Sequence, residues 1–140
     1  MFKTILLGVD GSVHALKAAR LTGEIARTAP VEVVWVVTCT LPPPAYLGEP
    51  FLETGIGKEL HEAERILGPA IQALGSIPGE IKSEILGGTP ADAILAAVES
   101  KDVDLIVMGT RGLGSLTGFL LGSQSQKVIA HAKCPVMVTR

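Results

Sequence analysis

Between Gly109 and Ser125 the chain reads GTRGLGSLTGFLLGSQS, a stretch with five glycines, no proline and one cation, Arg111. It follows an apolar run, Leu105 to Met108, bounded by Asp102 and Asp104, which is the pattern of a buried parallel strand. Beyond it, Ser123 can cap a helix that carries Val128, Ile129 and Ala132 on one face. Connections of this kind usually take about 2 to 6 residues, and much longer ones are mostly functional. Glycine turns the main chain freely and lets a ligand approach with no Cβ in the way, while a helix start offers unpaired N–H groups and a positive dipole end. Together these are the requirements of a phosphate cradle. A second candidate is Asp10, where another apolar run, Lys3 to Asp10, meets Gly11-Ser12; its carboxylate suits both a ligand and the cap of the next helix.

The chemistry on offer is holding rather than transforming. The loop has no carboxylate to act as base or metal ligand, so Mg2+ would be held through phosphate oxygens and water. A P-loop needs a lysine where Leu121-Gly122 stands, and Gly112-Leu113-Gly114 fails as a dinucleotide motif because the sixth position is Thr117 and no acid follows. Ser123 lacks a GxSxG context. His14, His61 and His131 are far apart with no acid or cysteine at ligand spacing and read as core or surface residues. Cys39 and Cys134 have no metal spacing and read as buried thiols.

Elements that position these residues follow from periodicity. Lys3 to Asp10 reads as a central strand, and Ala15, Ala18, Ala19, Thr22, Ile25 and Ala26 recur at helical spacing with side chains small enough for close packing on a sheet. Val31 to Thr38 is β-branched and buried in character; Thr40 to Gly48, with three consecutive prolines, is an exposed loop. A second helix places Ile56, Leu60, Ala63, Leu67, Ile71 and Leu74 on one face, with a kink or break expected near Gly68-Pro69. Glu80 to Leu86 alternates charge and suits a strand near a sheet edge. Thr89-Pro90-Ala91-Asp92 signals a helix start, and Pro135 to Arg140 closes the chain as a strand. Repeated βαβ units imply a parallel α/β sheet covered on both faces, with ligands at the carboxyl ends of its strands.

Composition agrees with one domain over residues 1–140, 47% of them apolar, with no run long enough to span a bilayer and no signal peptide, hence a cytoplasmic protein. The net charge of −2 and only four cations after Asp104 exclude a polynucleotide track, yet all 14 acids lie at or before Asp104, leaving an all-basic segment around the glycines.

In the order VDGS at Val9 to Ser12, GTP at Gly88 to Pro90, DLIVMGTRG at Asp104 to Gly112 and CPVMVTR at the end, the chain resembles the universal stress protein family. The spacing Gly109-x-x-Gly112, nine residues, Gly122-Ser123 is similar to that of its ATP-binding members. The resemblance implies a Rossmann-like, adenine nucleotide alpha hydrolase-like fold: an open five-stranded parallel sheet in the order 3-2-1-4-5. It implies a homodimer through Pro135 to Arg140, bound ATP, an unidentified protein partner and a regulatory role in stress response. Alternatives are a slow ATPase or phosphotransferase, or a dimeric interaction module without nucleotide. Carried over by position, Asp10 contacts ribose or adenine, and Val36 meets the adenine edge through its main chain. Gly109, Arg111, Gly112, Gly122, Ser123 and Ser125 contact ribose and phosphates, with Gly8, Met108 and the main chain of Gln124 completing the site. Gln124, Gly8 and Trp35 depart from the common pattern, and the last two are expected to alter the fit of the adenine end.

Overall fold

The computed structural model describes residues 2–40, 49–110 and 122–140. Within them the elements alternate as β1 (Thr4–Gly8), α1 (Val13–Thr28), β2 (Val33–Thr40), α2 (Glu49–Leu74), β3 (Glu80–Gly87), α3 (Pro90–Ser100), β4 (Leu105–Gly109), α4 (Ser123–His131) and β5 (Val136–Thr139). All strands pair in parallel in the order β3-β2-β1-β4-β5. β1 and β4 are almost wholly buried because helices cover both faces of the sheet centre. Ile5, Leu7 and Val9 join α1 and α2 on one face, whereas Leu6, Val37 and Met108 join α3 and α4 on the other. β3 is an edge strand, as its charges indicated, and Lys101 shields that side: its ammonium lies 4.3 Å from the Trp35 ring centroid and 2.9 Å from Glu84. The proline-rich segment 41–48 lies outside the described residues.

The second helix does not break. α2 passes through Pro69 because Ala63, Leu67, Ala70 and Leu74 are buried on both sides of it, and that continuous burial outweighs one missing backbone hydrogen bond. Its C-terminus is closed by α1. Gly23 lets the Leu74 carbonyl come into direct contact with α1, and Arg27 Nη1 donates to Leu74 O at 3.0 Å and to Ser76 O at 3.1 Å. These bonds satisfy acceptors that a helix end leaves unpaired.

Asp104 fixes the start of β4 to the start of β1. Its Oδ2 accepts the amides of Lys3 at 2.8 Å and Thr4 at 2.9 Å, and the Thr4 bond first, then the Lys3 bond, hold its pKa below the usual carboxylate value. The unfolded chain, with an ordinary Asp pKa of about 3.9, binds the proton more readily, so this contribution is full above that pH and is lost as pH falls through the lowered folded value. Asp104→Asn should therefore lower stability at neutral pH by about 1 kcal/mol in urea unfolding, a solvent-screened magnitude, and the gap should close in acid. A gap independent of pH would contradict this role.

Candidate functional site

β1 and β4 are neighbours, with Gly8 opposite Met108, so Asp10 and the glycine loop emerge side by side at the carboxyl edge of the sheet. After β1, Gly11 turns at φ +89° and Asp10 Oδ1 accepts the Ser12 amide at 2.9 Å, while Ser12 Oγ accepts the Ala15 amide at 3.1 Å and caps α1. Asp10 thus shapes the turn and keeps its half-buried carboxylate at the strand end.

The loop stem is pinned at both ends. The Thr110 amide donates to Thr139 O at 2.8 Å, and the Gly122 amide donates to Thr110 O at 3.3 Å, so the chain leaves and returns at one point above β4. Residues 111–121, including the predicted contacts Arg111 and Gly112, lie outside the described residues. Gly109 has a packing reason of its own: a Cβ there would lie 2.7 Å from the His14 Cβ and 2.8 Å from the His14 carbonyl carbon. β4 therefore ends directly against the first turn of α1.

Ser123 is not the cap. Gly122 holds the extended N-cap conformation, φ −63° and ψ 155°, and Ser123 is the first helical residue, exposed to solvent. Among the described residues no side chain caps α4, and the amides of Ser123, Gln124 and Ser125 have no acceptor within the helix itself. Ser125 is fully buried and its hydroxyl has no hydrogen-bond partner among the described residues; His14 Nδ1 is likewise buried without one there. Such orphaned groups are uncommon in a folded protein. The first turns of α1 and α4 thus flank the end of β4 with unpaired polar atoms from both helices, and His14 is the member that sequence reasoning set aside.

The remaining predicted residues form a floor beneath this edge. Gly8, Val36 and Met108 are buried within the sheet. Val37 O accepts from the Val9 amide on the β1 side, and Thr40 O accepts from the Gly88 amide on the β3 side. By strand alternation the amide and carbonyl of Val36 therefore point to β3 and belong to that ladder. The expected main-chain contact from Val36 is not available in this arrangement; the position on the β1 side beyond the last paired residue is Cys39. Trp35 pairs with Leu6 and lies under Lys101, at the opposite end of α3 from the loop, so it does not border the carboxyl edge as expected.

Gln124 turns its side chain to a different task. Its Oε1 accepts the Ala91 amide at 3.0 Å, at the start of α3. Thr89 occupies the N-cap position there but its hydroxyl donates to Asp92 Oδ2 at 2.8 Å instead of capping. Asp92 also pairs with Lys127 at 2.8 Å; the Lys127 bond, followed by the Thr89 bond, lowers its pKa.

Elsewhere the chemistry is sparse. Burial pushes the Cys39 thiol up to about 11 and raises Cys134 as well, and both are half-buried free thiols of low reactivity. Among the described residues no cluster of His, Cys, Asp or Glu is arranged to hold a metal, and no helix is long and apolar enough to cross a membrane. A groove of about 610 Å3 lies at the amino ends of β2 and β3, but Glu32 and Glu80 line it, which disfavours an anion.

An open parallel sheet in this order, with a helix start above the end of its fourth strand, defines a Rossmann-like, doubly wound α/β fold. Residues 1–140 match the universal stress protein family, and the chain belongs to that family. It is 48% identical over 140 residues to the universal stress protein in the QAH/OAS sulfhydrylase 3′ region of Thermus aquaticus, covering 100% of both chains. Universal stress protein UspA from Lactobacillus plantarum superposes with a TM-score of 0.83 at 26% identity, covering 99% of this chain and 98% of that one. A universal stress protein solved in complex with cAMP superposes with a TM-score of 0.67 at 28% identity, covering 99% and 97%.

Proposed function

We propose that this chain binds ATP at the carboxyl edge of β1 and β4 and acts as a nucleotide-dependent regulator rather than as an enzyme. The observation that carries the reading is the start of α4, which no described side chain caps, with the buried Ser125 hydroxyl in its first turn lacking a partner among the described residues. The phosphates would accept from the amides of Ser123, Gln124 and Ser125 and from the Ser125 hydroxyl, with Gly109, Arg111, Gly112 and Gly122 supplying the loop. Asp10 would meet the ribose or base. The base edge would be read by the main chain of Cys39 in place of Val36, above the floor made by Gly8 and Met108. Mg2+ would arrive with the nucleotide and be held through phosphate oxygens and water. The cAMP complex of a related protein supports an adenine nucleotide as the ligand class.

A few charge-assisted hydrogen bonds of about 1.5 to 3 kcal/mol each, less the ordering costs, suffice for the roughly −8 kcal/mol of micromolar binding. Because the grip is on phosphate, equilibrium dialysis should show affinity falling from ATP to ADP to AMP, by about tenfold across the series. No binding up to millimolar nucleotide, or AMP held as tightly as ATP, would overturn the reading. The same proposal places a homodimer at the outer edge of β5, whose four residues are all half-buried in the single chain; sedimentation velocity should give the two-chain mass, and a monomer at every concentration would refute it.

A further inference from the structure

The start of α3 has an unusual source of stability. Pro90 has no amide, and Thr89 spends its hydroxyl on Asp92, so the first donor that α3 leaves unpaired, Ala91 N–H, is satisfied from another helix by Gln124 Oε1 at 3.0 Å. Gln124 is itself the second residue of α4, and its own amide is one of the three above β4 that have no acceptor within the helix. One residue therefore has its main-chain donor at the candidate anion site and its side-chain acceptor at the beginning of the neighbouring helix. The ion pair that also joins these helices, Lys127 to Asp92 at 2.8 Å, and the pair from Lys133, just beyond α4, to Glu99 at 3.0 Å are exposed to solvent and weak. Gln124 is half-buried, and its bond goes to a main-chain donor of the first turn of α3, whereas Lys127 reaches only the exposed Asp92 carboxylate there.

We propose that Gln124 is a positioning residue that couples phosphate occupancy at α4 to the order of the first turn of α3. The proposal rests on the nucleotide reading above and adds its route of transmission. Anion binding fixes the first turn of α4, which fixes the Gln124 backbone and narrows the positions of its side chain; the Ala91 bond is then closed for a larger fraction of the time. α3 carries Ile94 and Val98 into the core shared with Leu6 and Val37, so its first turn links the start of α4 to the β1–β2 part of the sheet.

The test is amide hydrogen exchange on the full chain and on Gln124→Met, each with and without saturating ATP, with bound ATP measured by dialysis on the same samples. Methionine keeps the length and removes the acceptor. Without nucleotide, the Ala91 amide should exchange about fivefold faster in the variant, the factor expected for loss of one helix-start bond. ATP should slow Ala91 exchange about threefold or more in the wild type and leave it unchanged in Gln124→Met, while Lys127→Met, which breaks only the Asp92 pair, keeps the wild-type response. If ATP is bound and Ala91 is unaffected in the wild type, or is slowed equally in Gln124→Met, the coupling is wrong and the nucleotide reading stands. If dialysis finds no ATP bound, the nucleotide reading fails and the coupling with it. Should the methionine variant not fold, Gln124→Leu takes its place, and an Ala91 amide that ATP leaves unaffected in the wild type overturns the coupling by itself.

Discussion

Gly23→Ala should destabilise this protein by about 3 kcal/mol, although alanine is the better helix former. Gly23 lies in the middle of α1, where propensity alone favours alanine by about 1 kcal/mol. Against that, the added Cβ would collide with the backbone carbonyl oxygen of Leu74, and no rotamer change can move a backbone atom aside. Separating α1 from α2 would also lengthen both bonds from Arg27 Nη1, to Leu74 O at the end of α2 and to Ser76 O just beyond it. Overpacking of a close helix contact costs about 1 to 3 kcal/mol and more when the neighbour is rigid, so the steric effect wins. The sign of the change in the urea midpoint decides the issue: a variant more stable than wild type would show that α1 and α2 do not meet this closely.

Ser123→Glu should separate binding from stability. Ser123 is exposed in the first turn of α4, so a longer side chain meets no packed wall among the described residues. A carboxylate near the helix start interacts favourably with the dipole, by about 0.3 to 1 kcal/mol, and the fold should be as stable as wild type or slightly more so. The same carboxylate occupies the positive end that a triphosphate needs and repels it. ATP affinity should fall about 100-fold, close to 2.7 kcal/mol, in equilibrium dialysis, with an unchanged or raised thermal midpoint. Undiminished binding by a folded Ser123→Glu protein would place the phosphates elsewhere.

How much of this could be read from the sequence depends on the range of the interaction. The apolar runs, the turn at Asp10 and the helix start at Pro90 are local patterns, and each lies where its residues indicated. The adjacency of β1 and β4 is not a local property; it entered through family resemblance, and the pairing of Gly8 with Met108 agrees with it. Of the kink or break expected at Gly68-Pro69, the break is absent, because tertiary burial along α2 keeps the helix continuous through Pro69. Ser123 was placed one residue too early in its role, since the extended conformation of Gly122 decides which residue is the cap. Val36 shows a subtler failure: burial reports which face a side chain takes, whereas the direction of its amide depends on register with two neighbouring strands. Bonds such as Gln124 to Ala91 and Arg27 to Leu74 join residues far apart in the chain and leave no periodic signal. Gly109, read as room for a ligand, also serves the contact with His14.

Titrating ATP into the protein while following its amide N–H resonances tests the phosphate grip most directly. Bonds from Ser123, Gln124 and Ser125 to an anion should move those three resonances downfield together, with one saturation curve that matches the affinity found by dialysis. Saturable ATP binding that leaves all three unmoved, with the shifts gathered at another part of the fold, would contradict the assignment of α4 as the phosphate site.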